Sequence, residues 1–248
     1  MVRAWLLDLD GTLLDLDGDA FLEAYLQEVA QWMAPIVDPA RFTEALWSAA
    51  IPVMVNRTGH PGRSNSDMLW AALADALQTP AATLWQRFEE FVQGDLTRIY
   101  PGGSPMPGAH DLVAVGRARG MKLAVATMPI YPRPVIDERL RRAGLLDVPW
   151  DLVATDAMES VKPQPAYYQE IADRLQVAPT ECLMVGDDYF RDMAARKVGM
   201  ATAYVGPPLV GVDTGPSGTL TDWVRVLGGD GRGPTCAEGA MNSGLSGG

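Results

Sequence analysis

The sequence has only two cysteines, Cys182 and Cys236, and they lie far apart in the chain. Their separation matches no cysteine-based metal motif, and a single pair does not make a disulfide framework. Cys182 falls in the apolar run 182–185, which is typical of a buried thiol without a chemical role. A protein with two cysteines and no disulfide framework fits a reducing compartment, so we expect a cytoplasmic protein.

Long apolar runs and basic residues are also scarce. The apolar N-terminal run is interrupted by Asp8 and Asp10, and no stretch reaches bilayer length, so we expect neither a signal peptide nor a membrane span. The 20 Lys and Arg residues against 31 Asp and Glu give a formal net charge of -11. Such a chain is poorly suited to bind nucleic acid or an anionic membrane. An anionic small substrate needs a local site where a metal ion or a few cations reverse the field.

Short apolar runs alternate with helical patterns in the later part of the chain. We predict buried strands at residues 4–9, 122–126, 151–155, 182–185 and 201–205, with 201–205 as the last strand. Helical patterns cover residues 109–120, 134–143, 165–175 and 189–198. Strands separated by helices of this length predict an α/β fold with a doubly wound parallel sheet.

Residues 20–98 differ, because apolar spacings of three and four predict only helices there. We therefore predict a Rossmann-like core of residues 1–16 and 101–227, an inserted all-helical cap of residues 17–100, and a disordered Gly- and Ser-rich tail of residues 228–248. The cap helices contain Trp32, Trp47, Trp70 and Trp85. Core packing is the default for these side chains, although one of them could form a wall of a pocket.

Polar residues of the kinds needed for phosphate chemistry follow several predicted strands. They are Asp8, Asp10, Gly11 and Thr12 after the first strand, Thr127 and Met128 after the second, Lys162 in the loop 160–163, and Asp187, Asp188 and Asp192 after strand 182–185. Each alone is more often a helix N-cap or a solvated side chain. In a parallel sheet, however, ligands bind beyond the carboxyl ends of the strands, so we expect these residues to meet at one edge.

A phosphate monoester is a dianion, and a carboxylate can attack it only where nearby charge is neutralised. Clustered carboxylates also need a hard cation among them, and Mg²⁺ with oxygen ligands suits this requirement. Asp8 and Asp187 could supply carboxylates, and Asp10 a main-chain carbonyl. Lys162 adds a fixed positive charge, while Thr127 and nearby N–H groups can donate to phosphate oxygens. Asp10 could give and take the proton during an attack by Asp8.

Together these segments resemble the haloacid dehalogenase superfamily, in its phosphatase branch with a helical cap, to which the phosphoglycolate phosphatases belong. The resemblance implies a Mg²⁺-dependent phosphatase in which Asp8 is the nucleophile, Asp10 the general acid and base, and Asp187 a metal ligand. It also implies that Thr127 and Lys162 bind the phosphate. The expected partner is then a small phosphorylated metabolite.

Five further residues of these segments have supporting or uncertain roles. Gly11 permits the tight turn after the first strand, and Thr12 completes that motif. Met128 stands where many relatives have Asn, so its main-chain N–H, rather than its side chain, can face the phosphate. The resemblance implies that Asp192 supports the site. Asp188 could bind metal or only cap the following helix.

The most polar stretch of the cap, residues 56–63, contains Arg57, His60 and Arg63. An arginine that reaches a closed site could pair with a carboxylate or second phosphate of the substrate, so these three are candidate substrate-binding residues. Solvated side chains on the cap surface are the alternative. Oligomeric state cannot be read from the sequence.

Other functions on the same fold stay open. A sugar phosphomutase shares every core motif and differs in the cap. A 2-haloacid dehalogenase uses the same nucleophile without a metal, but it typically lacks the second acidic residue, so Asp10 argues against it. A non-catalytic binding protein is the least supported alternative, because Asp8, Asp10 and Lys162 are all present.

Overall fold

The computed structural model describes residues 1–55, 62–99 and 102–229. Eight strands occur in these residues: β1 Ala4–Leu7, β2 Leu14–Asp15, β3 Ser104–Pro105, β4 Lys122–Val125, β5 Leu152–Val153, β6 Cys182–Gly186, β7 Ala201–Val205 and β8 Ser217–Gly218. Six of them form one parallel sheet in the order β5-β4-β1-β6-β7-β8. β1 therefore lies in the interior of the sheet, between β4 and β6.

Helices surround this sheet and form the segment between β2 and β3. They are α1 Gly18–Trp32, α2 Pro39–Ala45, α3 Ile51–Val55, α4 Asn65–Leu77, α5 Ala81–Val92, α6 Ala109–Ala118, α7 Arg133–Arg142, α8 Pro165–Arg174 and α9 Leu220–Gly228. A π-helical turn, Leu46–Ala50, joins α2 to α3. Short 3₁₀ turns lie at Leu96–Arg98, Pro179–Glu181 and Met193–Val198.

The sheet is buried on both faces, as a continuous apolar strand requires. Trp5 and Leu7 of β1 pack in one cluster with side chains of α6, α7 and α9. Ala4 and Leu6, which point the other way, pack in a second cluster with side chains of α8. The predicted doubly wound α/β fold is confirmed.

The helical segment begins and ends at a short antiparallel pair, β2 with β3. Between these two strands the described residues form helices and turns but no strand. α4 starts with a capping box between Ser64 and Asp67, and its first turn contacts the core. There the buried Asn65 donates its side-chain amide to the main-chain oxygens of Pro129 and Ser160, each at 3.0 Å. These bonds fix the segment over one edge of the sheet.

Two predictions from the sequence pattern are wrong. Residues 189–198 do not form a full helix; only the 3₁₀ turn Met193–Val198 is helical, because Asp188 and Asp192 use their side chains to shape the preceding turn. The strand at residues 201–205 is not the last, since β8 pairs with β7 and α9 follows it. Strands this short leave no periodic signal.

None of the helices in residues 1–55, 62–99 and 102–229 is both long enough and apolar enough to span a bilayer. α9 ends at Gly228, and residues 230–248 of the predicted tail lie outside the described residues.

Candidate active site

Side chains from separate strands meet beyond the carboxyl ends of the sheet. Asp8 directly follows β1, Asp187 directly follows β6, and Thr127 lies two residues beyond β4. Lys162 comes from the loop before α8. All four line one cavity of about 540 Å³ between the sheet edge and the helical segment. The structure thus brings together residues that are far apart in sequence.

Lys162 is the buried cation of the site. Its ammonium donates to Oδ1 of Asp8 at 2.7 Å and to Oδ1 of Asp192 at 2.5 Å. Burial alone favours the neutral amine, but the two carboxylates outweigh it, so the pKa of Lys162 is held well above its usual range. The geometry thus favours a charged ammonium at Lys162.

Asp187 is held by the turn that follows β1. Thr12, which is fully buried, donates its hydroxyl to Oδ1 of Asp187 at 2.7 Å. Gly11 has a φ of +81°, and a Cβ there would lie 2.2 Å from Oδ2 of Asp187. Glycine at this position serves both the turn and the close approach of the carboxylate. Burial, together with the neighbouring charge of Asp8, raises the pKa of Asp187 to about 6.

The carboxylates form a donor set that suits a hard divalent cation. Oxygens of Asp8, Asp187 and Asp192 lie within 4.8 Å of one another. Both oxygens of Asp192 are already bonded, one to Lys162 and the other, at 3.0 Å, to the main-chain N–H of Asp188. Asp8 and Asp187 remain as candidate ligands, and Lys162, which is shared with Asp192, is the buried cation next to them. An oxygen-only set of this kind fits Mg²⁺.

Asp10 lies in the same cavity but has a different partner. One oxygen accepts a hydrogen bond from Arg139 of α7, whose guanidinium is fully buried. Arg139 also stacks over the rings of Tyr131, at 4.2 Å, and Phe21, at 5.0 Å. Burial raises the pKa of Asp10, although Arg139 opposes the shift. The other oxygen, Oδ1, has no hydrogen-bond partner among the described residues.

Thr127 and Met128 follow β4, the neighbour of β1, and line the same cavity as Asp8. The main-chain oxygen of Thr127 accepts a hydrogen bond from the Tyr167 hydroxyl at 2.7 Å. This bond fixes the main chain at Thr127, and a second bond within the loop, from the Ile130 N–H to the main-chain oxygen of Met128 at 2.9 Å, shapes the turn that follows. Tyr167 is itself fully buried.

Asp188 and Asp192 shape the turn that follows β6. Asp188 accepts from the N–H groups of Phe190 and Arg191, each at 2.9 Å, and its other oxygen lies 3.3 Å from the Arg191 guanidinium. This geometry is that of a cap rather than a metal ligand. Asp192 packs against Gly186, where a Cβ would lie 2.1 Å from its Oδ2.

A scan against protein-family models matches residues 2–199 to the haloacid dehalogenase-like hydrolases. The match covers most of the chain and every site residue described above. The chain belongs to the haloacid dehalogenase-like hydrolases. This confirms the resemblance read from the strand-end motifs.

Known relatives agree with this assignment. A phosphoglycolate phosphatase of Nitrosospira multiformis is 30% identical over 80% of each chain, and one of Vibrio vulnificus strain YJ016 is 28% identical over 79% of each. Among solved structures, a HAD phosphatase from Thermococcus onnurineus aligns with a TM-score of 0.53 and 22% identity, over 92% of this chain and 99% of the other. At that identity the structural match shows the shared fold.

The candidate cap residues of this hydrolase are only partly within the structure. Arg57 and His60 lie outside the described residues. Arg63 is exposed, is not part of the cavity wall, and donates to the main-chain oxygen of Asp67 at 3.4 Å. The helical segment between β2 and β3 instead contributes apolar side chains to the cavity, among them Trp47 and Met54.

Sequence reasoning missed Arg139, which contacts the predicted general acid of this hydrolase. A signal was present, since Ile136, Arg139 and Leu140 fall on one helix face by their spacing. An arginine on an otherwise apolar helix face points to a buried partner of opposite charge. That partner, Asp10, comes from the opposite end of the chain and could not be named from the pattern.

Replacing Gly11 by alanine should displace the carboxylate of Asp187, a candidate metal ligand, without unfolding the hydrolase. The added Cβ collides with Asp187, and the positive φ costs about 1–2 kcal/mol. We expect the Mg²⁺ concentration for half-maximal activity to rise at least about 10-fold. Gly120→Ala is the control, since Gly120 also has positive φ (+67°) but has nothing within 4 Å of its Cβ. Equal Mg²⁺ dependence in the two variants would show that the collision does not matter.

Proposed function

We propose that this hydrolase is a Mg²⁺-dependent phosphatase, which hydrolyses a small phosphate monoester through an aspartyl-phosphate on Asp8. The observation that carries the proposal is the pair of carboxyl groups with different surroundings in one cavity. Asp8 accepts a hydrogen bond from the ammonium of Lys162, whereas Asp10 pairs with Arg139 and burial raises the pKa of Asp10. Two such groups suit a nucleophile and a general acid. Several sequence relatives are named phosphoglycolate phosphatases.

In the first step, a carboxylate oxygen of Asp8 attacks phosphorus, and the bond from phosphorus to the ester oxygen breaks. Asp10 gives its proton to the departing alkoxide, so a neutral alcohol leaves. Lys162, the Thr127 hydroxyl and the N–H of Met128 hold the phosphoryl oxygens. The product of this step is an acyl phosphate on Asp8 and an ionised Asp10.

In the second step, Asp10 takes a proton from a water molecule as the water attacks phosphorus. The bond from phosphorus to the Asp8 oxygen breaks, which releases phosphate and restores both carboxyl groups. When bound at Asp8 and Asp187, Mg²⁺ would neutralise the negative charge between the nucleophile and the phosphate. Thr12 and Gly11 fix Asp187 for this role, Asp192 orients Lys162, and Asp188 caps the loop that carries Asp192.

The proposal is tested by phosphate release from p-nitrophenyl phosphate, with Mg²⁺ and after its removal by EDTA. We expect removal of the metal to slow release by about 10²-fold or more, and added Mg²⁺ to restore it. Undiminished activity in EDTA would contradict the metal role. Halide release from 2-chloropropionate without metal would instead show a dehalogenase. Transfer of phosphate within a sugar phosphate, with little release to water, would show a mutase.

A further inference from the structure

The cap side of the reaction cavity is apolar. The described residues that line this side of the cavity are Leu22 of α1, Trp47 of the π-helical turn, and Ile51, Met54 and Val55 of α3. The core adds more apolar surface next to them, from Met128, Ile130 and Tyr131. The leaving group of a phosphate bound at Asp8 would have to occupy this part of the cavity, because the phosphate itself faces the sheet edge.

Part of this apolar wall is exposed to water. Trp47 is 51% exposed and Val55 is 39% exposed. Residues 47, 51 and 55 are spaced by four, so one face of the continuous segment from α2 to α3 is presented to the cavity. A single exposed apolar residue is ordinary, but several that line the cavity of the nucleophile form a surface that an apolar ligand would cover. A π-helical turn at Trp47 is also a frequent mark of a functional position.

The charges at the entrance disfavour a second anion on the substrate. Among the described residues, the cavity wall outside the catalytic cluster contains Asp17, Asp19 and Asp188, with Arg191 as the single cation. Arg191 already lies 3.3 Å from Asp188 and 4.0 Å from Asp19. A carboxylate on the leaving group would therefore meet an excess of negative charge from the described residues of the wall.

The same carboxylates do not form a good site for a cationic group. Asp17 accepts from the N–H groups of Asp19 and Ala20, both at 3.0 Å, and so caps α1. Asp188 caps the turn after β6, and Asp19 faces Arg191. The N–H groups engage the charges of Asp17 and Asp188, and the charge of Asp19, whose side chain is 86% exposed, is screened by water. Among the described residues, the surface that remains for the leaving group is the apolar wall.

We propose that the substrate is the monophosphate of an uncharged, mainly apolar alcohol, whose carbon skeleton packs against Trp47, Ile51 and Val55. This inference rests on the proposed phosphatase function and adds the class of leaving group. Its specificity comes from burial of apolar surface, which stabilises the bound alcohol in proportion to the area covered. A charged end group gains nothing from this wall.

The test compares alkyl phosphates whose leaving alcohols are chemically alike. We expect kcat/KM to rise along ethyl, butyl and hexyl phosphate by about fourfold for each CH₂ that reaches the wall. Two matched pairs test charge: phosphoglycolate against ethyl phosphate, and choline phosphate against its uncharged isostere 3,3-dimethylbutyl phosphate. The uncharged member should have the higher kcat/KM in each pair.

Substitution of the wall gives a second, independent readout. Trp47→Ala should reduce the ratio of kcat/KM for hexyl over ethyl phosphate by roughly 10-fold. The matched control is Trp85→Ala, which removes a cap tryptophan that is 36% exposed but does not line the cavity. The ratio is independent of the fraction of folded enzyme, so a loss of stability does not imitate the effect.

The outcomes separate the two levels of the proposal. If neither these esters nor p-nitrophenyl phosphate is hydrolysed, the phosphatase function itself fails. Hydrolysis of p-nitrophenyl phosphate without hydrolysis of hexyl phosphate overturns only the inference about the leaving group. If the esters are hydrolysed but kcat/KM is higher for phosphoglycolate than for ethyl phosphate, the inference is overturned. A cation must then bind the leaving group, and Arg57 and His60 are the candidates for it. A preference for choline phosphate over its isostere, or an unchanged ratio in Trp47→Ala, overturns it equally.

Discussion

Asp8→Asn should lower the rate of phosphate release by a factor of about 10³ or more and leave the protein folded. An amide oxygen is a poor nucleophile toward phosphorus, so no aspartyl-phosphate can form. The fold should survive because the asparagine keeps the size of the side chain, and its oxygen can still accept from Lys162. The Lys162–Asp192 pair at 2.5 Å remains intact. The measurements are steady-state phosphate release and thermal unfolding without metal.

The control for this variant is Asp17→Asn, which makes the same chemical change in the same cavity. Asp17 caps α1, and asparagine caps a helix equally well, so we expect activity close to that of the wild type. Mass spectrometry of enzyme quenched during turnover should detect a phosphoryl adduct on Asp8 in the wild type and none in Asp8→Asn. Wild-type rates in Asp8→Asn would exclude the covalent mechanism.

The sequence was most informative about the sheet and its carboxyl edge. Apolar runs such as residues 122–125 and 182–186 are buried on both faces, and such runs stand out without knowledge of their partners. The residues that directly follow these strands must lie at one edge of the sheet, because the carboxyl ends of parallel strands meet there. This is why Asp8, Lys162 and Asp187 could be expected in one place.

Contacts that depend on packing between distant elements could not be predicted in this way. The partner of Asp10 is Arg139, and their bond requires α7 to pack beneath the turn after β1. The strands β2 and β3 have two residues each and carry no periodic signal. They pair because they flank the helical segment and its two ends lie side by side. The helix predicted at residues 189–198 was wrong because Asp192 turns inward to Lys162. The buried hydrogen bond between Lys162 and Asp192 outweighs the helix propensity of residues 189–192.

The inserted segment was predicted to be helical, and Trp47 was one of four tryptophans of which one could form a pocket wall, but the pattern did not single it out. The sequence drew attention to the polar residues 56–63, whereas the described wall of the cavity is made by Trp47 and the apolar residues of α3. Periodicity finds the apolar face of a helix but does not distinguish a face that packs in a core from one that lines a cavity. That distinction requires the position of the core beneath it.

Lys162→Met should destabilise the folded protein and abolish most activity. Without the ammonium, the carboxylates of Asp8 and Asp192 are buried close together with no compensating charge. Removing one partner of a buried ion pair costs about 3–5 kcal/mol, so we expect a loss of this size at pH 7 in EDTA. Activity in Mg²⁺ should fall about 10²-fold or more, because the phosphoryl oxygens lose a fixed cation.

The stability loss should diminish as the pH falls. In the variant, burial and repulsion raise the folded-state pKa of one carboxylate above its unfolded value, so the folded state binds the extra proton. Stability is therefore lowest above the folded-state pKa and recovers as the pH falls toward the unfolded value, near 4. Urea unfolding across this pH range, without metal, measures the recovery. A loss of stability that does not depend on pH would point to packing rather than charge.

The double variant Lys162→Met with Asp192→Asn separates stability from catalysis. Removing the second carboxylate relieves the repulsion, so we expect the double variant to recover most of the stability lost in Lys162→Met. Its activity should stay as low as that of the single variant, because the cation that faces the phosphate is still missing. Recovery of both properties would show that Lys162 only offsets buried charge. Recovery of neither would show that repulsion between the carboxylates of Asp8 and Asp192 is not the cause of the stability loss in Lys162→Met.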